Sequence, residues 1–333
     1  MSAAPSVRTV LGEIAAADLG PTNYHEHLFQ VTPLLVGDEL DDEPSSQAEA
    51  GSLRDSGFAT MVDATPVGLG RRPAALARIS EAEGLHVVAT TGAHREPHYG
   101  PAHWLTELSE NGLAELFSRD VTVGLPVADG PAATAPALGP AGQAVRAAVV
   151  KAGIGYWSIT AFERRVLAAV AATWQRTRAA VMVHLEHGSG AFEVLAELGR
   201  NGVPASAVAL AHVDRNPDPG LHAELAAAGA YLGYDGFARS QRWPDSVLLD
   251  CLLQAAADGA SQRLLLGGDV ARRSRYRGYG GMPGLAYVGE RVLPRLARAA
   301  SPDLLQSVLV ANPARWLSGT PTEPEERKAD EPT

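Results

Sequence analysis

The sequence predicts an α/β fold, a (β/α)8 barrel spanning residues 1–318, and three observations carry that expectation. Eight short apolar runs recur along the chain, each ending at a polar residue. Helix-like segments lie between them. Strands that alternate with helices build a parallel sheet, and eight such units close it into a barrel. The length of 333 residues exceeds the typical barrel of about 250, which leaves room for decorations. An open doubly wound sheet is the alternative, but no glycine-rich phosphate loop follows the first strand.

Taken in order, "VRTVLGEI" (7–14) predicts a small β-ribbon ahead of the barrel. The barrel strands are expected to end at His27 ("TNYHEH"), Asp63 ("FATMVDAT"), Thr91 ("LHVVATTG") and Lys151 ("AAVVKAG"). The other four are expected to end at His184 ("AAVMVHLEHG"), His212 ("AVALAHVD"), Asp235 ("AYLGYDG") and Asp269 ("RLLLGGD"). Residues 36–50 read as an acidic loop leading into a helix. Residues 124–143, rich in Pro, Gly and Ala, read as a mobile insertion before the fourth strand. Between the fourth and fifth strands, "TAFERRVLAAVAATWQRTR" opens with Thr160 and Glu163 in capping-box spacing and continues with helical periodicity. "GSGAFEVLAELGRNG" and "DPGLHAELAAAGA" read as shorter helices. The tail 319–333 is polar, acidic and proline-rich, the composition of a disordered segment.

Composition narrows the function classes. With 46% hydrophobic residues the chain can bury a sizeable core. A net charge of −10 argues against nucleic acid or an anionic membrane as main partner. Cys251 is the single cysteine, so no intrachain disulfide or cysteine-based zinc site is expected. No signal-peptide run or membrane-spanning stretch is visible, so the expected location is the cytoplasm.

The chemistry lies at the strand ends. Side chains two apart on a strand share a face, so His25 and His27 point the same way and can form half of a metal site. Of the chain's lysines, Lys328 lies in the tail and only Lys151 in the folded body. A lysine on an apolar strand is costly unless paired or neutralised. A barrel keeps its active site at the C-terminal ends of its strands. His25, His27, Lys151, His184, His212 and Asp269 should therefore converge on one rim. Imidazoles and a carboxylate suit a zinc-like divalent ion. Six groups exceed what one catalytic zinc takes, which points to two. The uncharged amine of Lys151 can add carbon dioxide to give an anionic carbamate, whose two oxygens can bridge two metals.

Together, "HEH" (25–27), "VVKAG" (149–153), "VMVHLEHG" (181–188), "AHVDRNPDP" (211–219) and "GGDVARRS" (267–274) resemble the phosphotriesterase-like lactonases of the amidohydrolase superfamily, from about Val7 to Leu317. The resemblance implies a binuclear centre. His25, His27 and Asp269 would hold one metal, and His184 and His212 the other. Carboxylated Lys151 and a hydroxide would bridge both, and Asp269 would carry a proton. Zinc fits best, with manganese, cobalt or iron as alternatives. A homodimer is expected by base rate and resemblance. The implied reaction is hydrolysis of a lactone or ester. A phosphotriester, an amide or a cyclic imide on the same metals, or a non-catalytic metal-stabilised barrel, are the rivals.

The expected substrate is a small anionic lactone, with a phosphorylated sugar lactone as the first candidate. The loop after the seventh strand carries Arg239 and Arg242. The loop after the eighth carries Arg272, Arg273, Arg275 and Arg277, with Tyr276 and Tyr279 among them. In such barrels these two loops frequently build a phosphate site, and arginine grips phosphate or carboxylate through paired hydrogen bonds. Arg239, Arg272 and Arg275 are the expected anion contacts. Arg275 stands where the resemblance expects tyrosine. Ala93 and His94 replace an aromatic pair after the third strand, leaving His94 as a candidate donor near the metals. His98, His103 and His187 are expected as pocket wall or surface.

Overall fold

The computed structural model describes residues 4–319, apart from 101, 133 and 134. The tail expected over 319–333 lies, from 320 onward, outside the described residues. Two strands, β1 (Ser6–Thr9) and β2 (Gly12–Ala15), pair antiparallel as a ribbon. Eight strands follow: β3 (Thr22–Glu26), β4 (Thr60–Asp63), β5 (His86–Gly92), β6 (Ala147–Ile154), β7 (Ala180–Leu185), β8 (Val208–Ala211), β9 (Tyr231–Tyr234) and β10 (Leu264–Leu266). Each lies parallel to its sequence neighbour. The seam closes where Asp269 N donates to His25 O at 3.0 Å and Val270 N donates to a Glu26 carboxylate oxygen at 3.0 Å. Glu26 thus faces away from its two histidine neighbours, as strand alternation requires, and stitches the last strand to the first.

The sheet buries two apolar layers. The inner layer mixes alanines, Ala64, Ala148, Ala180, Ala209 and Ala211, with larger side chains such as Tyr24, Met182, Tyr231 and Leu265. Trp316, on the closing helix Asn312–Ser318, packs against this layer, and its indole donates to Val181 O at 3.2 Å. Outside, Val and Leu side chains of the strands meet the apolar faces of the helices. Each such side chain contributes about 1.5–3 kcal/mol when fully buried. Helix Ala161–Thr177 has its capping box formed, with Thr160 and Glu163 reciprocally bonded.

Three expectations change in detail. The strand of Lys151 does not end there: β6 runs on to Ile154, and Lys151 sits mid-strand with its side chain inside the barrel. Conversely, His27, His212, Asp235 and Asp269 lie one to three residues past their strands. Backbone curling over the barrel mouth gives His212 and Asp269 positive φ angles of 69° and 44°. The described residues of segment 124–143 are fastened rather than loose. Leu125, Ala137 and Val145 are buried and share backbone hydrogen bonds, and Asp129 pairs with buried Arg71 at 2.7 Å. Among the described residues, no helix is long and apolar enough to cross a membrane.

Candidate metal centre

His25 and His27 share a face by alternation, but β3 also carries a register shift between Asn23 and Glu26. Strict alternation would send Tyr24 and His25 to opposite faces, yet both reach Asp235, at the mouth of β9. His25 Nδ1 lies 2.9 Å from Asp235 Oδ2. An ionised carboxylate only accepts hydrogen bonds, so this nitrogen carries the proton. His25 Nε2 is then a lone pair, buried and without a hydrogen-bond partner. His27 is fixed differently. The Thr65 hydroxyl donates to Phe29 O at 2.8 Å, so at 2.8 Å from His27 Nδ1 it accepts, leaving His27 Nε2 as a lone pair. Both free nitrogens face Asp269 Oδ1, at 3.7 and 3.6 Å.

A second pair lies beside the first. His212 Nδ1 donates to Asp235 Oδ1 at 2.6 Å. His184 Nε2 donates to Glu186 at 2.9 Å, and Glu186 is also 3.0 Å from Arg95. With their outer nitrogens committed, His184 Nδ1 and His212 Nε2 face each other as lone pairs only 2.8 Å apart. Two facing lone pairs in a buried site call for a cation between them. Burial, together with neighbouring positive groups, holds both imidazoles well below their ordinary range. Neutral imidazoles with outer protons pinned to carboxylates or, for His27, to a hydroxyl, beside a carboxylate, are the donor set that fits a divalent metal.

Lys151 lines the same pocket, fully buried, with Nζ donating to Ala64 O at 2.9 Å. Burial lowers its amine to about 8, despite the opposing pull of Asp269, Asp235 and Asp63. Its partner on β5 is Gly92, and a Cβ there would stand 2.0 Å from Lys151 O at a φ of +93°. Only glycine lets the backbones meet this way.

Asp269 divides its two oxygens. Oδ1 faces the histidines, while Oδ2 receives Arg215 at 2.7 Å and Arg239 at 2.6 Å. Burial works to raise this carboxyl, but Arg239, His25, His212 and Arg215 outweigh it and hold it well below the usual carboxylate range.

The pocket containing these groups has a volume of about 310 Å³ and is also lined by His94, His98, Leu34 and Leu35. His94 packs between His98 and His184, at ring separations of 3.8 and 4.4 Å. Its Nδ1 accepts from Arg95 N at 2.8 Å, so Nε2 carries the proton. The pocket shares Glu186, Arg215, Arg239 and Arg272 with a neighbouring cleft of about 590 Å³, which also takes in Arg242, Trp243 and Arg275. The arginines therefore separate into groups. Arg239, Arg272 and Arg275 line the cleft; Arg275 donates to Ala238 O at 3.2 Å, and Arg272 is 3.5 Å from Asp38. Arg242 and His187 meet at 2.9 Å on the cleft wall. Arg273 and Arg277 instead pair with Asp41 and Glu290 at the surface. Tyr276 is buried, its hydroxyl bonded to His27 O, and Tyr279 bonds Asp42 and Ser46. His103 lies outside both cavities, capping helix Trp104–Glu107.

Sequence reasoning did not single out Arg215, Glu186 or Asp235 as site residues. Arg215 follows His212 by three residues, inside "AHVDRNPDP", and Asp235 ends a predicted strand, so a positional signal existed for both.

A family model described as the phosphotriesterase family matches residues 5–317. The chain belongs to the phosphotriesterase family. It is 27% identical over 328 residues to a phospho-furanose lactonase of Mycoplasmopsis synoviae, covering 93% of this chain and 91% of that protein. It is 30% identical over 284 residues to a phosphotriesterase homology protein of Mycobacterium tuberculosis, covering 80% of this chain and 81% of that one. A lactonase structure from Listeria monocytogenes superposes with a TM-score of 0.81 at 30% identity, over 94% of this chain and 98% of that one. As a phosphotriesterase-family member the protein is a metal-dependent hydrolase. His25, His27 and Asp269 place ligand atoms close enough together to hold a metal ion.

Proposed function

We propose that this enzyme opens a small lactone bearing an anionic group, a phosphorylated sugar lactone first among candidates. Two divalent ions, zinc by preference, would be held by His25, His27 and Asp269 and by His184 and His212, with a carbamate on Lys151 between them. The observation that carries the substrate reading is the join between cavities. The histidine pocket opens directly into a cleft walled by Arg239, Arg272 and Arg275. A lactone ring at the histidines would thus place an attached phosphate among the arginines. The name of the Mycoplasmopsis relative, a phospho-furanose lactonase, supports the same reading.

Bound metals would supply Lewis acidity toward a water and the lactone carbonyl. The chain does the rest. The Lys151 amine, with its pKa brought down to about 8, attacks carbon dioxide; an N–C bond forms and a proton leaves to solvent. Asp269 accepts a proton from the attacking water and returns it to the ring oxygen as the carbonyl carbon–oxygen bond breaks, giving a hydroxy acid. Arg239 and Arg215 orient that carboxylate. A substrate anion that draws on Arg239 loosens its hold on Asp269 and makes the carboxylate a better base. Leu34 and Leu35 cover the apolar side of the ring.

The test is a panel of γ- and δ-lactones, phosphorylated and not, assayed with metal-free and metal-loaded enzyme. Metal-dependent turnover with a preference for the phosphorylated members is the expected result. A preference for long apolar acyl-chain lactones, or for amides or phosphotriesters, would overturn the substrate assignment.

A further inference from the structure

We infer that Asp235 is a shared positioning residue: its single carboxylate holds one histidine from each metal site, His25 through Oδ2 and His212 through Oδ1, and so couples the two sites. The inference rests on the two-metal reading above, and goes beyond it by naming what ties the sites together.

A histidine ligates through an unprotonated nitrogen, so its other nitrogen must keep the proton. Asp235 enforces that on both rings at once, with contacts of 2.9 and 2.6 Å. It is fully buried, so water does not take over if it is lost. A third donor, the Tyr24 hydroxyl, bonds the oxygen that serves His25. This carboxylate therefore accepts three hydrogen bonds and is fixed in orientation. The surroundings are shaped to admit Tyr24: a Cβ at Gly233 on β9 would stand 1.8 Å from the phenol oxygen. Glycine at 233 and tyrosine at 24 fit as a pair.

His25, His212 and Asp235 also have donor atoms close enough to suggest a metal site of their own. The hydrogen bonds argue otherwise. Asp235 already accepts from His25 at 2.9 Å, from His212 at 2.6 Å and from Tyr24. In His25 the nitrogen that faces Asp235 is turned away from Asp269 Oδ1, and in His212 it is turned away from His184.

The structure makes a specific demand on Asp235→Asn. A carboxamide has one accepting oxygen and a donating nitrogen. It can hold the proton of one imidazole; the other ring meets N–H and must move its proton to Nε2, which removes that lone pair. Metal would be stripped by chelation and Co2+ returned by equilibrium dialysis, with bound metal counted and the visible cobalt spectrum recorded. Circular dichroism would check the fold. Wild type should bind two Co2+. Asp235→Asn should bind one, with affinity for it reduced by about 10–100-fold. Tyr24→Phe, which leaves Asp235 in place but one donor short, should bind two, both more weakly by about 10-fold. Two Co2+ with wild-type affinity in Asp235→Asn would overturn the inference and leave the two-metal reading intact. If Asp235→Asn does not fold, unchanged affinities in Tyr24→Phe overturn it. A wild type that binds one Co2+ overturns both together.

Discussion

Replacing Asp269 by Asn separates metal holding from proton handling. In the native arrangement Oδ1 faces His25 and His27 at 3.7 and 3.6 Å, and Oδ2 accepts from Arg215 and Arg239 at 2.7 and 2.6 Å. Asparagine has one accepting oxygen. With that oxygen kept toward the histidines, the amide nitrogen confronts two guanidinium donors. Each hydrogen bond to a charged group contributes about 1.5–3 kcal/mol, so the variant should orient less well and be less stable without metal. The larger effect is on chemistry. The carboxamide cannot take up a proton, and positioned acid–base groups contribute about 10²–10⁴-fold. At 1.36 kcal/mol per tenfold, that is about 2.7–5.4 kcal/mol of barrier. The assay is kcat on the best lactone of the panel, followed with a pH indicator, alongside bound metal by elemental analysis. The expected variant retains most of its metal and loses kcat by at least about a hundredfold. An Asn variant with near wild-type kcat would refute the proton role of Asp269.

Lys151→Ala should lose metal and activity, with partial return when a short carboxylic acid fills the space; an intact, active binuclear centre in that variant would dismiss the carbamate. Arg272→Ala should lower kcat/KM for a phosphorylated lactone more than for its uncharged analogue. A buried charged contact would imply about 10- to 150-fold, but its side chain is 48% exposed, so the lower end is expected, and equal losses on both substrates would contradict the anion pocket. Gly233→Ala should cost about 1–3 kcal/mol of stability by forcing Tyr24 aside, read by urea denaturation, and an unchanged midpoint would contradict the close approach. Metal-free protein should lose stability as pH falls below about 6.5. Burial holds His27, His94, His184 and His212 well below the imidazole range and His98 at about 3. On acidification the unfolded chain therefore takes up protons that the folded one refuses. Glu26, Asp63 and Asp214, raised by burial to about 8, 6 and 8, act oppositely because they hold protons in the folded state that the unfolded chain releases. They are fewer than the histidines, and a urea midpoint that rises from pH 6.5 to 5.5 would refute the balance.

Local rules were enough for much of this protein. Apolar runs broken by helical periodicity mark eight strands because burial on both faces leaves a composition signal within each strand. The Thr160–Glu163 cap is a three-residue interaction and is legible for the same reason. The histidines, Lys151 and Asp269 stand out because each sits at or near the end of such a run. Tertiary structure alone decided how these groups are held. Tyr24 and Asp235 are 211 residues apart, and they meet where β3 shifts register and β9 carries glycine at 233. The division of Asp269 between histidines and two arginines depends on loops from β8 and β9 folding over the same mouth. The split of the arginines into cleft and surface groups depends on which acids lie nearby, such as Asp41 and Glu290. Hydrophobic alternation and caps act over a few residues, so sequence determines them. Hydrogen bonds across a barrel depend on register and curvature summed over the whole sheet, so only the closed barrel sets them.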